Sequence, residues 1–165
     1  MAGLMVSPLV RFKRCKILDK HIIAWKGSFV MAKFFNQEWC ELYCNEINNN
    51  KAYEEAARTW EGAFYFIMEA GGPVKEPIYM HIDLYHGKCR KAEIVTDPNK
   101  YKPEFTLTAS YPVWKRIATK ELDSIKAMIT RQAKLTGNMA KIMRYVKAAN
   151  ELTNSTTRVP TEWLD

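Results

Sequence analysis

Two constellations in this sequence hold residue types that could do chemistry. His81 and Asp83 stand two apart in the run Ile78-Tyr79-Met80-His81-Ile82-Asp83-Leu84-Tyr85, so on a strand they share a face. An imidazole beside a carboxylate is the pairing of a general base with the group that orients it. The same alternation turns Ile78, Met80, Ile82 and Leu84 inward. The expected home of His81 and Asp83 is then the solvated face, with no catalytic role. Cys40 and Cys44 are four apart and share one side of a helix. A metal there would need two more ligands, and His81, His86 and Cys89 are the candidates near in sequence. With Cys15 the thiols form neither a CxxC pair nor a secretory framework, so reduced, half-buried cysteines and no metal are expected. GxGxxG, phosphate-loop, GxSxG and HExxH patterns are absent. No catalytic residue and no cofactor is assigned.

The elements that position these groups follow from apolar periodicity. Asn36 can cap a helix running to about Asn48, with Trp39, Leu42, Tyr43 and Ile47 on its buried face. The run Asn48-Asn49-Asn50 ends it, and a short helix over residues 51–58 follows. Residues 60–69 change to strand chemistry. Phe64, Phe66 and Met68 face one way, Tyr65 and Ile67 the other. Both faces are apolar, which places this strand inside a sheet or along a pocket. After a turn at Ala70-Gly71-Gly72-Pro73 comes the His81 strand, a hairpin tip at His86-Gly87-Lys88 and a return over residues 89–95.

Residues 105–152 organise the rest. Phe105, Leu107 and Ala109 alternate with Thr106, Thr108 and Ser110, the period of a half-buried strand. Ser110 can cap a helix with Pro112 in its first turn and Val113, Trp114 and Ile117 on one face. Asp123 can cap a second helix carrying Ile125 and Met128. A strand-like run over residues 129–136 ends at Gly137-Asn138. A last helix then places Met139, Ile142, Met143, Val146 and Ala149 on one stripe. Five strands result, with helices at both ends. Three of the eight methionines, Met128, Met139 and Met143, fall in this wall. Methionine is unbranched and adapts to irregular apolar shapes.

These residues carry a family resemblance. The run FTLTASYPVWKRIATKELDSIKAMITRQAKLTGNMAKIM resembles the C-terminal half of the sterol-carrier-protein-2 family of lipid-binding domains. The matching features are the strand before Trp114, the pair Leu122-Asp123, Ala127-Met128, and Leu135-Thr136-Gly137-Asn138 leading into the last helix. The likeness covers residues 39–152. The sequence departs from it where the family often has glycine near Lys120 or Glu121, proline at Ser124, and glycine near Arg131 or Gln132. The resemblance implies an α+β fold, a five-stranded, mostly antiparallel sheet covered on one face by helices. It implies an apolar tunnel for fatty acid, acyl-CoA, phospholipid or sterol. Carried over by position, the wall is Phe105, Leu107, Trp114, Ile117 and Met128, continued by Leu135, Met139, Ile142, Met143 and Val146. Strand parity adds Phe64, Phe66, Ile82 and Leu84. An acyl chain gains about 0.8 kcal/mol per CH₂ removed from water, so a carrier needs no ionic contact. Lys115, Lys120, Lys126 or Lys141 at the mouth would form a dispensable basic rim. A structural or accessory module of the same fold with a filled core is the competing reading. A small hydrolase or acyl-CoA-dependent enzyme ranks third, since no nucleophile–base pair is readable.

Charge and length bound the rest. The chain has 165 residues and a formal net charge of +7, enough for one domain with a real core. Arg11, Lys13, Arg14, Lys16, Lys20 and Lys26 face only Asp19 in residues 1–30, so that segment carries +5 and the remainder +2. A nucleic-acid binder is not expected, because residues 31–165 lack a basic stripe with interleaved aromatics. No apolar run reaches the ~20 residues that span a bilayer. The expected organisation is a basic extension over 1–30, outside the fold, a lipid-binding domain over 31–155, and a tail over 156–165. Trp163 is expected to fold back, with transient membrane contact as the alternative. The ending Glu162-Trp163-Leu164-Asp165 is no peroxisomal address, which leaves a cytoplasmic protein as the default.

Overall fold

Strand β2, Glu61–Met68, is the middle of the structure. Its two apolar faces both need cover, and it has neighbours on both edges. It pairs antiparallel with β3, Ile78–Tyr85, and parallel with β5, Phe105–Ala109. Beyond β3 lies β4, Lys88–Val95, and beyond β5 lies the short β6, Lys134–Thr136. The sheet order is β4-β3-β2-β5-β6, with the β2–β5 pair its one parallel contact. Register opposes Phe64 to Ile82 and Phe105, and Phe66 to Met80 and Leu107. All six therefore stand on one face. This computed structural model describes residues 31–164; the expectations for residues 1–30 lie outside the described residues.

Helices cover that face. They are α1, Gln37–Asn49, α2, Lys51–Ala56, α3, Tyr111–Ala118, α4, Ser124–Ile129, α5, Met139–Arg144, and α6, Val146–Thr156. Asn36 caps α1 by accepting from the Trp39 N–H at 2.7 Å, and Asp123 caps α4 through the Lys126 N–H at 2.8 Å. Ser110 occupies the cap position of α3 but makes no side-chain capping bond. Asn50 closes α1 and opens α2. Its Oδ1 accepts from the Tyr53 N–H, and its Nδ2 donates to the Glu151 backbone oxygen and to Ser155 Oγ, which fastens the first helix pair to α6.

Two elements differ from expectation. The strand predicted over 129–136 is only Lys134–Thr136. Ile129 ends α4, and the Thr130 N–H and hydroxyl both donate to the Lys126 backbone oxygen, curling the chain before the strand begins. The last helix is two helices, broken at Tyr145 (φ −117°, ψ 29°). The Tyr145 ring meets Trp60 edge-on at 5.0 Å and its hydroxyl bonds the Thr59 backbone oxygen at 3.2 Å. Anchoring that side chain interrupts the helix. The segment after α6 also packs onto the domain. Strand β7, Thr161–Glu162, pairs parallel with β1, Ala32–Lys33, and the Trp163 ring lies 4.9 Å from Phe34.

Lys120 and Arg131 have φ of 65° and 59°. These are positions where the resembled family often carries glycine nearby, so the turns keep left-handed backbone at residues that resist it. Lys120→Gly should raise stability by up to about 1 kcal/mol, the left-handed strain relieved less the added freedom of the unfolded chain. Asn50→Ala should lower it by about 2 kcal/mol, since a helix cap and the bonds to α6 go together. Urea unfolding midpoints of the two variants check both signs.

Candidate functional site

Between the sheet and its helices lies an apolar hollow. Phe64 and Phe66 of β2, Met80 of β3 and Leu107 of β5 form its floor. Trp114 and Ile117 of α3, Met128 of α4, Leu135 of β6 and Ile142 of α5 close one side, and Ala149 and Leu152 of α6 the roof. Phe34, Phe35, Trp39 and Tyr43 complete it from the start of the fold. Phe35 takes φ 59°, which turns two successive phenylalanines into the core, 2 % and 3 % exposed. Trp114 is aimed by its indole N–H, which donates to the Ile67 backbone oxygen at 2.9 Å. The hollow measures about 80 Å³, several times the ~10–15 Å³ that one water requires. Its lining is hydrocarbon almost throughout, so water gains few partners there.

The hollow shares lining residues with two surface features. Met128 and Leu135 also line an open groove of about 560 Å³ with Ile129, Arg131, Lys134 and Met139. Ser124 and Thr153 also line a polar cleft of about 400 Å³ with Lys120, Asp123, Glu151 and Asn154. The buried Ser124 Oγ has no hydrogen-bond partner among the described residues. A smaller void of about 30 Å³ shares Phe64, Ile142, Ala149 and Leu152 with the main one and adds Leu84 and Tyr53.

Eight of the expected wall residues meet at the hollow: Phe64, Phe66, Leu107, Trp114, Ile117, Met128, Leu135 and Ile142. Leu84 lines the smaller void, and Met139 the outer groove. Ile82 and Phe105 are fully buried and share the face but lie outside the hollow; Phe105 is packed against Trp60 and Phe64 at 5.4 and 5.0 Å. Val146 is half-buried against the core. Met143 is a correction: it is 45 % exposed. Successive helical residues diverge by about 100°, so with Ile142 turned inward Met143 points out. Phe34 and Phe35 went unread because they precede the first helix, where no period marks them. Trp39, Tyr43, Met80 and Ala149 were legible as core without any sign that they border a void.

The expected basic rim disperses. Lys141 binds Glu104 at 2.7 Å and the Glu61 backbone oxygen, and Lys115 lies over the Trp163 ring at 5.5 Å. Lys126 is exposed, and Lys120 stands in the polar cleft, donating to Asn154 Oδ1.

His81 and Asp83 do not form a dyad. His81 is 6 % exposed, not solvated. Its ring stacks on Tyr101 at 3.9 Å and 14°, and Tyr65 meets it edge-on. Burial lowers its pKa, which keeps the imidazole neutral. Asp83 is taken by Arg90 through bonds of 3.0 and 2.9 Å. Residues 97–104 thus cap the second face of the sheet, held there by Glu93, which accepts from Tyr101 and pairs with Lys100 and Lys91. Among the thiols, burial pushes Cys40 well above its ordinary value. The Cys44 thiol lies 3.4 Å from the Cys89 backbone oxygen, beside the Asn48 amide that brackets Cys89. Among the described residues no three His, Cys, Asp or Glu side chains are grouped to hold a metal. Among them, too, no helix is long and apolar enough to cross a membrane.

A five-stranded, mostly antiparallel sheet covered on one face by helices is what the sequence resemblance implied, and the match to known proteins decides the family. Residues 42–150 match the SCP-2 sterol transfer family. This chain belongs to that family. Membership carries lipid binding and transfer as the general activity of the domain. Among solved structures, a crystal structure of sterol carrier protein 2 is 27 % identical, with a TM-score of 0.72, covering 77 % of this chain and 99 % of that one. A solution structure of a conserved hypothetical protein from Thermus thermophilus, described as possibly a sterol carrier protein, is 26 % identical. Its TM-score is also 0.72, with 79 % and 92 % of the two chains covered. No curated protein sequence matches the chain.

The bond from Tyr101, with the two lysines beside it, lowers the Glu93 carboxyl from 4.5 to about 2. A depressed carboxylate contributes stability that is present above its unfolded value and lost as pH falls through the folded one. The thermal midpoint should therefore drop between pH 4.5 and 2, and Glu93→Gln should flatten that limb. Calorimetry across the acid range reads the difference between the two slopes.

Proposed function

We propose that this protein binds and carries an acyl lipid, with the alkyl chain in the hollow between sheet and helices. Fatty acid, acyl-CoA, phospholipid and sterol are the candidate cargoes. The observation that carries the reading is the hollow itself. Its wall is hydrocarbon almost throughout, and two of its lining residues, Met128 and Leu135, also line an open groove on the surface. Each CH₂ that leaves water for such a wall contributes about 0.8 kcal/mol. At about 80 Å³ the hollow takes a few methylenes, so a full chain requires the wall to move outward. The wall suits that. Met128 and Leu135 are only partly buried, and α5 has six residues. The unpartnered Ser124 hydroxyl gives a hydroxyl or carboxylate a place to bond where the hollow meets the polar cleft. The reading includes no catalytic step. The histidine and carboxylate that suggested one are committed to Tyr101 and Arg90.

Ala149 lines both voids. Ala149→Phe should fill them, at an overpacking cost of about 1–3 kcal/mol. The variant should stay folded by circular dichroism and lose uptake of a fluorescent fatty acid from solution. Uptake equal to wild type in the folded variant would mean that the chain binds elsewhere.

A further inference from the structure

Residues 124–150 carry six cations and no acid: Lys126, Arg131, Lys134, Lys141, Arg144 and Lys147. The whole of residues 31–165 nets only +2, so this run is a local concentration against a slightly acidic remainder. Elsewhere in residues 31–165, five of thirteen cations pair with acids among the described residues, and those thirteen stand among seventeen acids. Arg90 pairs with Asp83, Lys88 and Lys51 with Glu54, and Lys91 and Lys100 with Glu93. Of the six, Lys141 pairs with Glu104, and the other five are exposed and make no ion pair among the described residues.

The same run holds two large apolar side chains left in water. Ile129 is 62 % exposed and Met143 is 45 % exposed. Ile129 stands in the groove with Arg131 and Lys134, and Met143 is one helical turn beyond Met139, which also lines it. Cations beside protruding aliphatic residues are what an anionic bilayer surface rewards, one through its headgroups and the other through its acyl boundary. A soluble acidic protein would match the charge but gives no reason for isolated aliphatic tips. The groove also shares Met128 and Leu135 with the hollow. A chain passing between bilayer and hollow there would stay out of water.

We infer that the groove formed by α4, β6 and α5 is a docking face for an anionic lipid bilayer, with Ile129 inserted and Arg131 and Lys134 on the headgroups. The inference takes its purpose from the carrier reading, but adhesion is measured without cargo. The test uses the full chain and sedimentation with phosphatidylcholine vesicles, with and without phosphatidylserine. Each cation at such a surface contributes about fivefold in affinity. The pair Arg131→Gln and Lys134→Gln should therefore weaken binding to phosphatidylserine vesicles about 30-fold, and adding Ile129→Ser should weaken it further. Uptake of monomeric fluorescent fatty acid should not change, since none of the three residues lines the hollow. Residues 1–30 are also basic, so a control pair with the same charge loss, Lys88→Gln and Arg90→Gln at the β3–β4 hairpin, is compared in the same chain. Retained affinity in the control beside loss in the groove pair supports the inference. Equal affinities for the two pairs, or a wild type that ignores phosphatidylserine, overturns it, the latter leaving a water-soluble acidic partner for the cations. Vesicle binding without fatty-acid uptake by the wild type would overturn the carrier reading alone.

Discussion

The constraint on which the structure depends is that β2 is apolar on both faces and paired on both edges. Such a strand must be covered twice. On one side residues 97–104 lay Tyr101 across His81 and tie it down through Glu93. On the other side the cover is aromatic. Phe34, Phe35, Trp39 and Trp114 lean over Phe64 and Phe66, several at tilted or edge contacts, as Trp114 is against Phe35 and Phe66, both at 5.3 Å. Large flat rings in such contacts bury much area but do not interlock as branched aliphatic side chains do. The hollow is the space that this roof leaves unfilled.

Much of this was legible in the chain. The strands around Phe64, Ile82 and Phe105 follow from strict alternation, and the caps at Asn36 and Asp123 from residue type and position. The wall was legible at Trp114 and Ile117, whose three-residue spacing marks the buried side of α3. It is not legible at Ile142 and Met143, adjacent apolar residues of which one faces in and the other is exposed. Ile142 and Met143 fit the same stripe on paper, and only the break at Tyr145 and the short length of α5 decide which faces in. That break comes from contacts with Thr59 and Trp60, more than 80 residues away in sequence, and local pattern has no access to it. His81 was misplaced for a similar reason. Alternation correctly puts it opposite Ile82, but the cover that buries it is a loop without periodicity.

The polar chemistry of the domain is mostly committed to its architecture. Asn48 brackets Cys89, Asn50 links three helices, and Asp83 holds Arg90. Five exposed cations of residues 124–150 are left outside those pairings, next to the end of the hollow that is rimmed by Met128 and Leu135. The greasy interior and the basic exterior thus meet on the same three short elements, α4, β6 and α5. These are also among the pieces least tied into the sheet, since β6 pairs over three residues and α5 is under two turns long. A wall that must yield to admit a chain is built from the parts that bury least.

Native mass spectrometry of the protein, purified without detergent, tests the central claim most directly. A hollow between sheet and helices that holds an alkyl chain predicts a second species, heavier than the bare chain by the mass of one lipid and lost on collisional activation. A single species at the mass of the polypeptide, unchanged after incubation with fatty acid, acyl-CoA, phospholipid and sterol, would contradict it.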